Sequence, residues 1–83
     1  MKWFLYVVKC RDDSLYTGIT TNIKRRVREH NLKIGAKSLK GKLPVTLVYR
    51  ETYDSQGEAS KREMAIKSWR REYKIKLIKR GLS

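Results

Sequence analysis

The sequence predicts an α/β (α+β) domain in which a few strands are covered by helices. Three observations carry that expectation. Trp3 to Cys10, Leu15 to Thr20 and Val45 to Tyr53 are runs of β-branched and aromatic residues of strand length. The stretches that begin at Ile23 and Glu58 place apolar residues at helical spacing. Asn, Asp, Ser and Gly punctuate the boundaries between them. No repeat, low-complexity run or linker divides the chain, so residues 1–83 read as one domain.

A chain of 83 residues buries only about 60% of the surface it exposes when unfolded, so the core must be thin. It carries 21 Lys and Arg against 8 Asp and Glu, a formal net charge of +13. Such an excess repels itself in the compact state and points to a polyanionic partner. Nucleic acid is favoured over a membrane, because no stretch forms a long amphipathic helix with bulky apolar residues opposite lysines. The apolar run Trp3 to Val8 is too short for a signal segment or a transmembrane span, and the protein is expected in the cytoplasm. A single Cys and a single His exclude a disulfide framework and a structural zinc site, so Cys10 is expected to pack as a small apolar residue.

Trp3 to Cys10 is expected to be covered on both faces, and Leu15 to Thr20 to return beside it as the second strand of a hairpin. Strand side chains alternate, so Tyr6 shares a face with Tyr16 and Gly18 only when paired residue numbers sum to an even value. A three-residue connection at Asp12-Asp13-Ser14 gives that parity, with Cys10 opposite Tyr16 or close to it. Asn22 then caps a helix from Ile23 to about Lys33, ending before Gly35. At about 100° per residue, Ile23, Val27, His30 and Ile34 fall on one stripe with Arg26 on its flank. Lys24, Arg25, Arg28 and Glu29 take the wet side. Residues 35–44 form a loop whose lysines, Lys37, Lys40 and Lys42, either clamp phosphate or are merely solvated. Val45 to Tyr53 is the third strand. Glu58 to about Trp69 is a second helix, with Ala59, Glu63 and Ile66 on one stripe, and Arg70 to Arg80 a third, stopped at Gly81, although Ile75-Lys76-Leu77 alone would also fit a short strand. Trp69 and Tyr73, four positions apart, are assigned to the core rather than to base stacking.

Five polar residues stand out by position: Tyr6 and Tyr16 on one strand face, Arg26 at a helix flank, His30 one turn later, and Glu63 on an apolar stripe. Each alone has an ordinary reading. A strand Tyr is commonly core with its hydroxyl at the rim, a His on an apolar stripe is commonly a packing residue, and Glu63 could pair with Arg26. Together they supply what hydrolysis of a phosphodiester needs: a cation for the phosphoryl oxygens, a carboxylate for a divalent metal, and a base for water. Arg26 offers fixed charge and two-pronged geometry. Glu63 is a single hard oxygen ligand, which suits Mg²⁺ or Mn²⁺ keeping most of its waters. A phenol titrates near pH ~10, and neighbouring positive charge favours its phenolate, so Tyr6 or Tyr16 can act as the base. Lys24, Arg25, Arg28, Lys37, Lys40 and Lys42 are the candidate face for nucleic acid.

These residues resemble the GIY-YIG nuclease domain, in its small stand-alone bacterial UPF0213 form, over almost the whole chain. Phe4-Leu5-Tyr6 stands where that family has Gly-Ile-Tyr, and Tyr16-Thr17-Gly18 where it has Tyr-Ile-Gly. Arg26 follows Tyr16 by ten residues, His30 follows by four more, and Glu63 sits at the metal-binding position. The resemblance implies a three-stranded antiparallel sheet flanked by about three helices, and cleavage of nucleic acid, DNA more than RNA, with one divalent metal. It also implies that Tyr6 is the base, with Tyr16 assisting. Phe4 reads as a packing change, and Gly18 can still let the backbone pass close to the site. Larger members carry attached domains that choose the substrate. Here loose recognition of a structure or single strand, or an unidentified protein partner, would have to do so. The expected function is a metal-dependent nuclease of DNA repair or processing; the alternative is a catalytically inactive nucleic-acid-binding module or a basic adaptor for a partner protein.

Overall fold

The computed structural model describes residues 1–34, 39 and 41–81. In chain order the elements are β1 (Trp3–Lys9), β2 (Leu15–Thr20), α1 (Ile23–Asn31), β3 (Thr46–Tyr53), α2 (Gln56–Lys67) and α3 (Arg71–Gly81). β1 lies between β2 and β3 and runs antiparallel to both. That central place accounts for its composition: Leu5, Tyr6, Val7 and Val8 are all buried because both faces are covered. On one face Tyr6, Val8 and Cys10 pack with Ile23 and Val27 of α1 and with Leu39 and Val45. On the other, Leu5 and Val7 pack with Ile66 of α2, with Trp69, and with Leu77 and Ile78 of α3. Full burial of each such aliphatic side chain contributes about 1.5–3 kcal/mol.

The hairpin keeps the even parity, but its turn sits one residue earlier than expected. Cys10 N–H donates to the Ser14 carbonyl at 2.8 Å and Asp13 N–H to the Cys10 carbonyl at 2.9 Å, so Arg11-Asp12-Asp13 makes the turn. Asp13 takes the left-handed conformation (φ 68°) that Asp tolerates. The Asp12 carboxylate accepts from Ser14 N–H at 3.1 Å and Ser14 Oγ at 2.6 Å, which draws Ser14 into the strand side. Tyr6 therefore stands opposite Gly18, and Val8 opposite Tyr16.

Asn22 caps α1 by accepting from Arg25 N–H at 3.0 Å. The helix ends at Asn31, short of the expected Lys33, because Lys33 turns left-handed (φ 66°). Ile34, expected on the inward stripe, lies beyond that break and is 67% exposed. The Asn31 amide instead fastens the helix end to the start of β3, accepting from Val45 N–H at 2.7 Å and donating to the Val45 carbonyl at 3.2 Å. Ser55 Oγ caps α2 by accepting from Glu58 N–H at 3.2 Å. The chain breaks between α2 and α3, so Trp69 and Tyr73 do not share a helix. Trp69 packs on the Leu5 and Val7 side as expected, whereas Tyr73 is 51% exposed and corrects the core assignment. Of the candidate phosphate ligands in the loop, Lys37 and Lys40 lie outside the described residues. No helix among the described residues is long and apolar enough to cross a membrane.

Candidate active site

The site is built around Tyr6. Because β1 places Tyr6 opposite Gly18, its ring lies across the glycine: a Cβ there would fall 2.6 Å from Tyr6 Oη and 2.7 Å from Cζ. Gly18 is required by this close approach of a ring rather than by its backbone angles. Beyond the glycine, Tyr6 Oη meets His30 Nε2 at 2.8 Å, both groups being buried. His30 arrives there from the inward stripe of α1. The ring of Tyr16 completes the cluster, with its centroid 5.4 Å from His30 in an edge-on contact and 6.3 Å from Tyr6. Hairpin parity and the helical stripe thus deliver three rings to one place.

Arg26 and Glu63 border this cluster. The Arg26 guanidinium is held by Glu29 Oε1 at 3.1 Å, with both side chains about one-third exposed (32% and 33%). Glu29 is therefore not on the wet side as expected, because the three-residue spacing turns it toward Arg26. Glu63 does not take Arg26 as its partner. Its carboxylate lies 3.6 Å from Lys67 Nζ and is 19% exposed, while the same ammonium sits 5.8 Å from the centre of the Tyr16 ring.

Burial pushes the Tyr6 phenol up to about 12; the Arg26 guanidinium pulls it down, and the charges of Tyr16 and Glu63 push it further up. Burial, then the Arg26 charge, holds His30 below its ordinary value, so the imidazole is neutral at pH 7. A guanidinium can only donate, so Arg26 uses the Tyr6 oxygen as an acceptor; Tyr6 Oη and His30 Nε2 share one hydrogen bond, in which the phenol donates when the imidazole proton is on Nδ1. Imidazole and guanidinium therefore meet at one phenol oxygen, which the Glu63 carboxylate reaches only through its charge.

Among the described residues no group of three or more His, Cys, Asp or Glu could hold a metal ion. Glu63 offers one carboxylate with a loose partner, which fits a hard ion that keeps most of its waters and does not fit zinc.

Residues 2–76 match the family model described as the GIY-YIG catalytic domain. The chain belongs to the GIY-YIG family. It is 49% identical over 77 residues to a UPF0213 protein of Staphylococcus haemolyticus, covering 93% of this chain and 94% of that one. It is 54% identical over 78 residues to a UPF0213 protein of Desulfotalea psychrophila, covering 93% and 71%. The solution NMR structure of a UPF0213 protein from Bacillus halodurans is similar with a TM-score of 0.62 at 35% identity, covering 95% of this chain and 84% of that one. A solution NMR structure of an E. faecalis protein gives a TM-score of 0.65 at 36% identity, with the same coverage of 95% and 84%. GIY-YIG is a nuclease family, its substrates are nucleic acids, and its members generally depend on a divalent metal.

Within this GIY-YIG fold Phe4 is half-buried against the Tyr6 and Val8 cluster, which agrees with a packing change. Lys24, Arg25 and Arg28 are exposed together and, with Asn22, line a groove of about 580 Å³ on α1, next in sequence to Arg26. Lys42 is not among the residues lining that groove: it is half-buried, and its carbonyl accepts from Arg11 N–H at 2.9 Å beside the hairpin turn. Sequence reasoning missed two cations. Lys67 stands four residues after Glu63, a spacing that was readable in the chain. Arg50, exposed on β3 directly opposite Tyr6, was not readable, because the β1–β3 register shifts between Val7 and Val8.

Proposed function

We propose that this GIY-YIG chain hydrolyses phosphodiester bonds in nucleic acid, DNA rather than RNA, in repair or processing, and that it uses Mg²⁺ or Mn²⁺. The observation that carries this reading is the convergence on Tyr6 Oη, 2.8 Å from His30 Nε2, acted on by Arg26 and more weakly by the Glu63 charge. Arg26 binds a phosphoryl oxygen with N–H groups that Glu29 does not use. Tyr6 Oη takes a proton from the attacking water while its own proton passes to Nε2 of the neutral His30. This relay needs no standing phenolate, which matters for a phenol raised to about 12. Tyr16 keeps the imidazole in place through its edge contact. Glu63 holds the metal ion, which when bound supplies positive charge to the phosphoryl oxygens and acidifies a water. Lys24, Arg25 and Arg28 hold the flanking backbone.

One observation favours the rival reading of a binding module without turnover. Lys67 Nζ lies 3.6 Å from the Glu63 carboxylate and competes with a metal ion for it. Cleavage of labelled branched, single-stranded and duplex substrates with Mg²⁺ or Mn²⁺ separates the two. Cutting that is lost in Arg26→Ala and Glu63→Ala while binding persists supports hydrolysis; a wild type that binds all three and cuts none supports the module.

A further inference from the structure

On the sheet face opposite Tyr6, an open groove of about 1050 Å³ runs between α2 and α3. Trp69 and Leu77 form its floor, and Arg62, Lys76, Lys79 and Arg80 its walls. Arg62 is not available as a mobile ligand. Glu51 grips it in two-pronged fashion, Nε to Oε1 at 3.0 Å and the terminal nitrogen to Oε2 at 3.1 Å. The same carboxylate accepts from the Tyr49 and Tyr53 hydroxyls at 2.5 and 2.6 Å. The result is a fixed guanidinium 5.2 Å from the centre of the Trp69 ring. Tyr73, by contrast, is 51% exposed at the groove, with Lys76 Nζ 5.4 Å from its ring centre. Lys76, Lys79 and Arg80 follow at helical i, i+3, i+4 spacing, a line about 6 Å long by the helical rise.

We propose that this groove binds an unpaired stretch of single-stranded nucleic acid, with Tyr73 as a base platform beside the rigid Arg62–Trp69 wall and Lys76 and Lys79 holding phosphates. A duplex hides the faces of its bases and has no use for an exposed ring. An acidic peptide has use for the cations but not for the ring. An exposed ring beside a line of cations is the combination that single strands select. The inference rests on nucleic acid being the ligand, as in the proposed function, and does not need cleavage. It would give this domain a means of preferring substrates that carry an unpaired strand, bound on the sheet face away from the hydrolytic cluster.

Fluorescence anisotropy with a labelled oligothymidylate and a blunt hairpin duplex tests the groove. Tyr73→Ala should weaken oligothymidylate binding about tenfold, Tyr73→Phe should restore it, and duplex affinity should stay within about twofold. Lys76→Gln combined with Lys79→Gln should flatten the salt dependence for the oligomer by about one to two counterions. Unchanged affinity in Tyr73→Ala, an equal loss on oligomer and duplex, or displacement of the oligomer by polyglutamate as readily as by oligothymidylate would each overturn the proposal. A wild type that cuts nothing, yet loses the oligomer on Tyr73→Ala, would sink hydrolysis and leave the groove standing; active cutting with normal oligomer binding in Tyr73→Ala would do the reverse.

Discussion

Gly18→Ala is the smallest change that should disturb the whole cluster. The added methyl would lie 2.6 Å from Tyr6 Oη, 2.7 Å from Cζ and 2.9 Å from Cε1, so the oxygen must retreat by about 0.8 Å to reach ordinary contact at 3.4 Å. The ring has nowhere to go at low cost, since Tyr6 is 1% exposed and bonded to a buried His30. Overpacking of this kind costs about 1–3 kcal/mol, and loss of the buried hydrogen bond adds about 1–3 kcal/mol. A total near 3 kcal/mol is a large part of the roughly 4–12 kcal/mol available to a chain of 83 residues. With a urea slope of about 1 kcal/mol/M, the midpoint should fall by about 2–3 M. Long-range ¹⁵N NMR should show the His30 imidazole resonances shifting as its bond to Tyr6 is lost, and cleavage should drop by about 10²-fold from the misplaced oxygen. A midpoint within about 0.3 M of wild type, with an unaltered imidazole spectrum, would refute the packing of Tyr6 on Gly18.

The remaining predictions concern protons and charge. Tyr6, Tyr49 and Tyr53 are each pushed up to about 12, chiefly by burial. Phenols in the unfolded chain ionise near pH ~10, so that chain sheds its protons first; stability is full below pH ~10 and is lost as pH rises toward the folded value of about 12. Tyrosinate absorbance followed alongside circular dichroism should show these residues ionising together with unfolding; titration of all five tyrosines near pH ~10 in an intact fold would contradict it. Arg26→Lys keeps the charge but loses the fork that serves Glu29 and a phosphoryl oxygen at once. Substrate affinity should hold within about threefold while the cleavage step slows by about 10²–10³, read from single-turnover rates. A change in affinity alone would mean that Arg26 only binds.

The parts of the fold that were legible depend on short-range periodicity. Alternation along β1 and β2 put Tyr6, Tyr16 and Gly18 on one face before any coordinates, because the side-chain period of two survives a shift of the turn by one residue. The 3.6-residue wheel likewise placed His30 inward. It failed at Ile34, because α1 ends at Asn31 and Lys33 turns left-handed, and at Tyr73, which lies on α3 while Trp69 falls between the two helices. Glu29 defied the wheel because Arg26 drew it in. The Glu51 and Arg62 network and the position of Arg50 lay outside what periodicity can say. They join strand β3 to α2 or to β1, and only the β1–β3 register and the seat of α2 decide which side chains meet. Within the site, the shared face of Tyr6, Tyr16 and Gly18 followed from pattern and the Glu63–Lys67 pair was open to the same reasoning, whereas the Tyr6–His30 bond required the packed structure.

The central claim is that an acid on α2 serves a reaction centred on a phenol of β1. Single-turnover cutting of a labelled substrate by wild type and by Glu63→Gln, with Mg²⁺ and then with EDTA, addresses it directly. Wild type should cut with Mg²⁺ and stop in EDTA while still binding, and Glu63→Gln should cut about 10²–10³ times more slowly at unchanged affinity. Wild-type rates from Glu63→Gln, or cutting that ignores EDTA, would contradict the account.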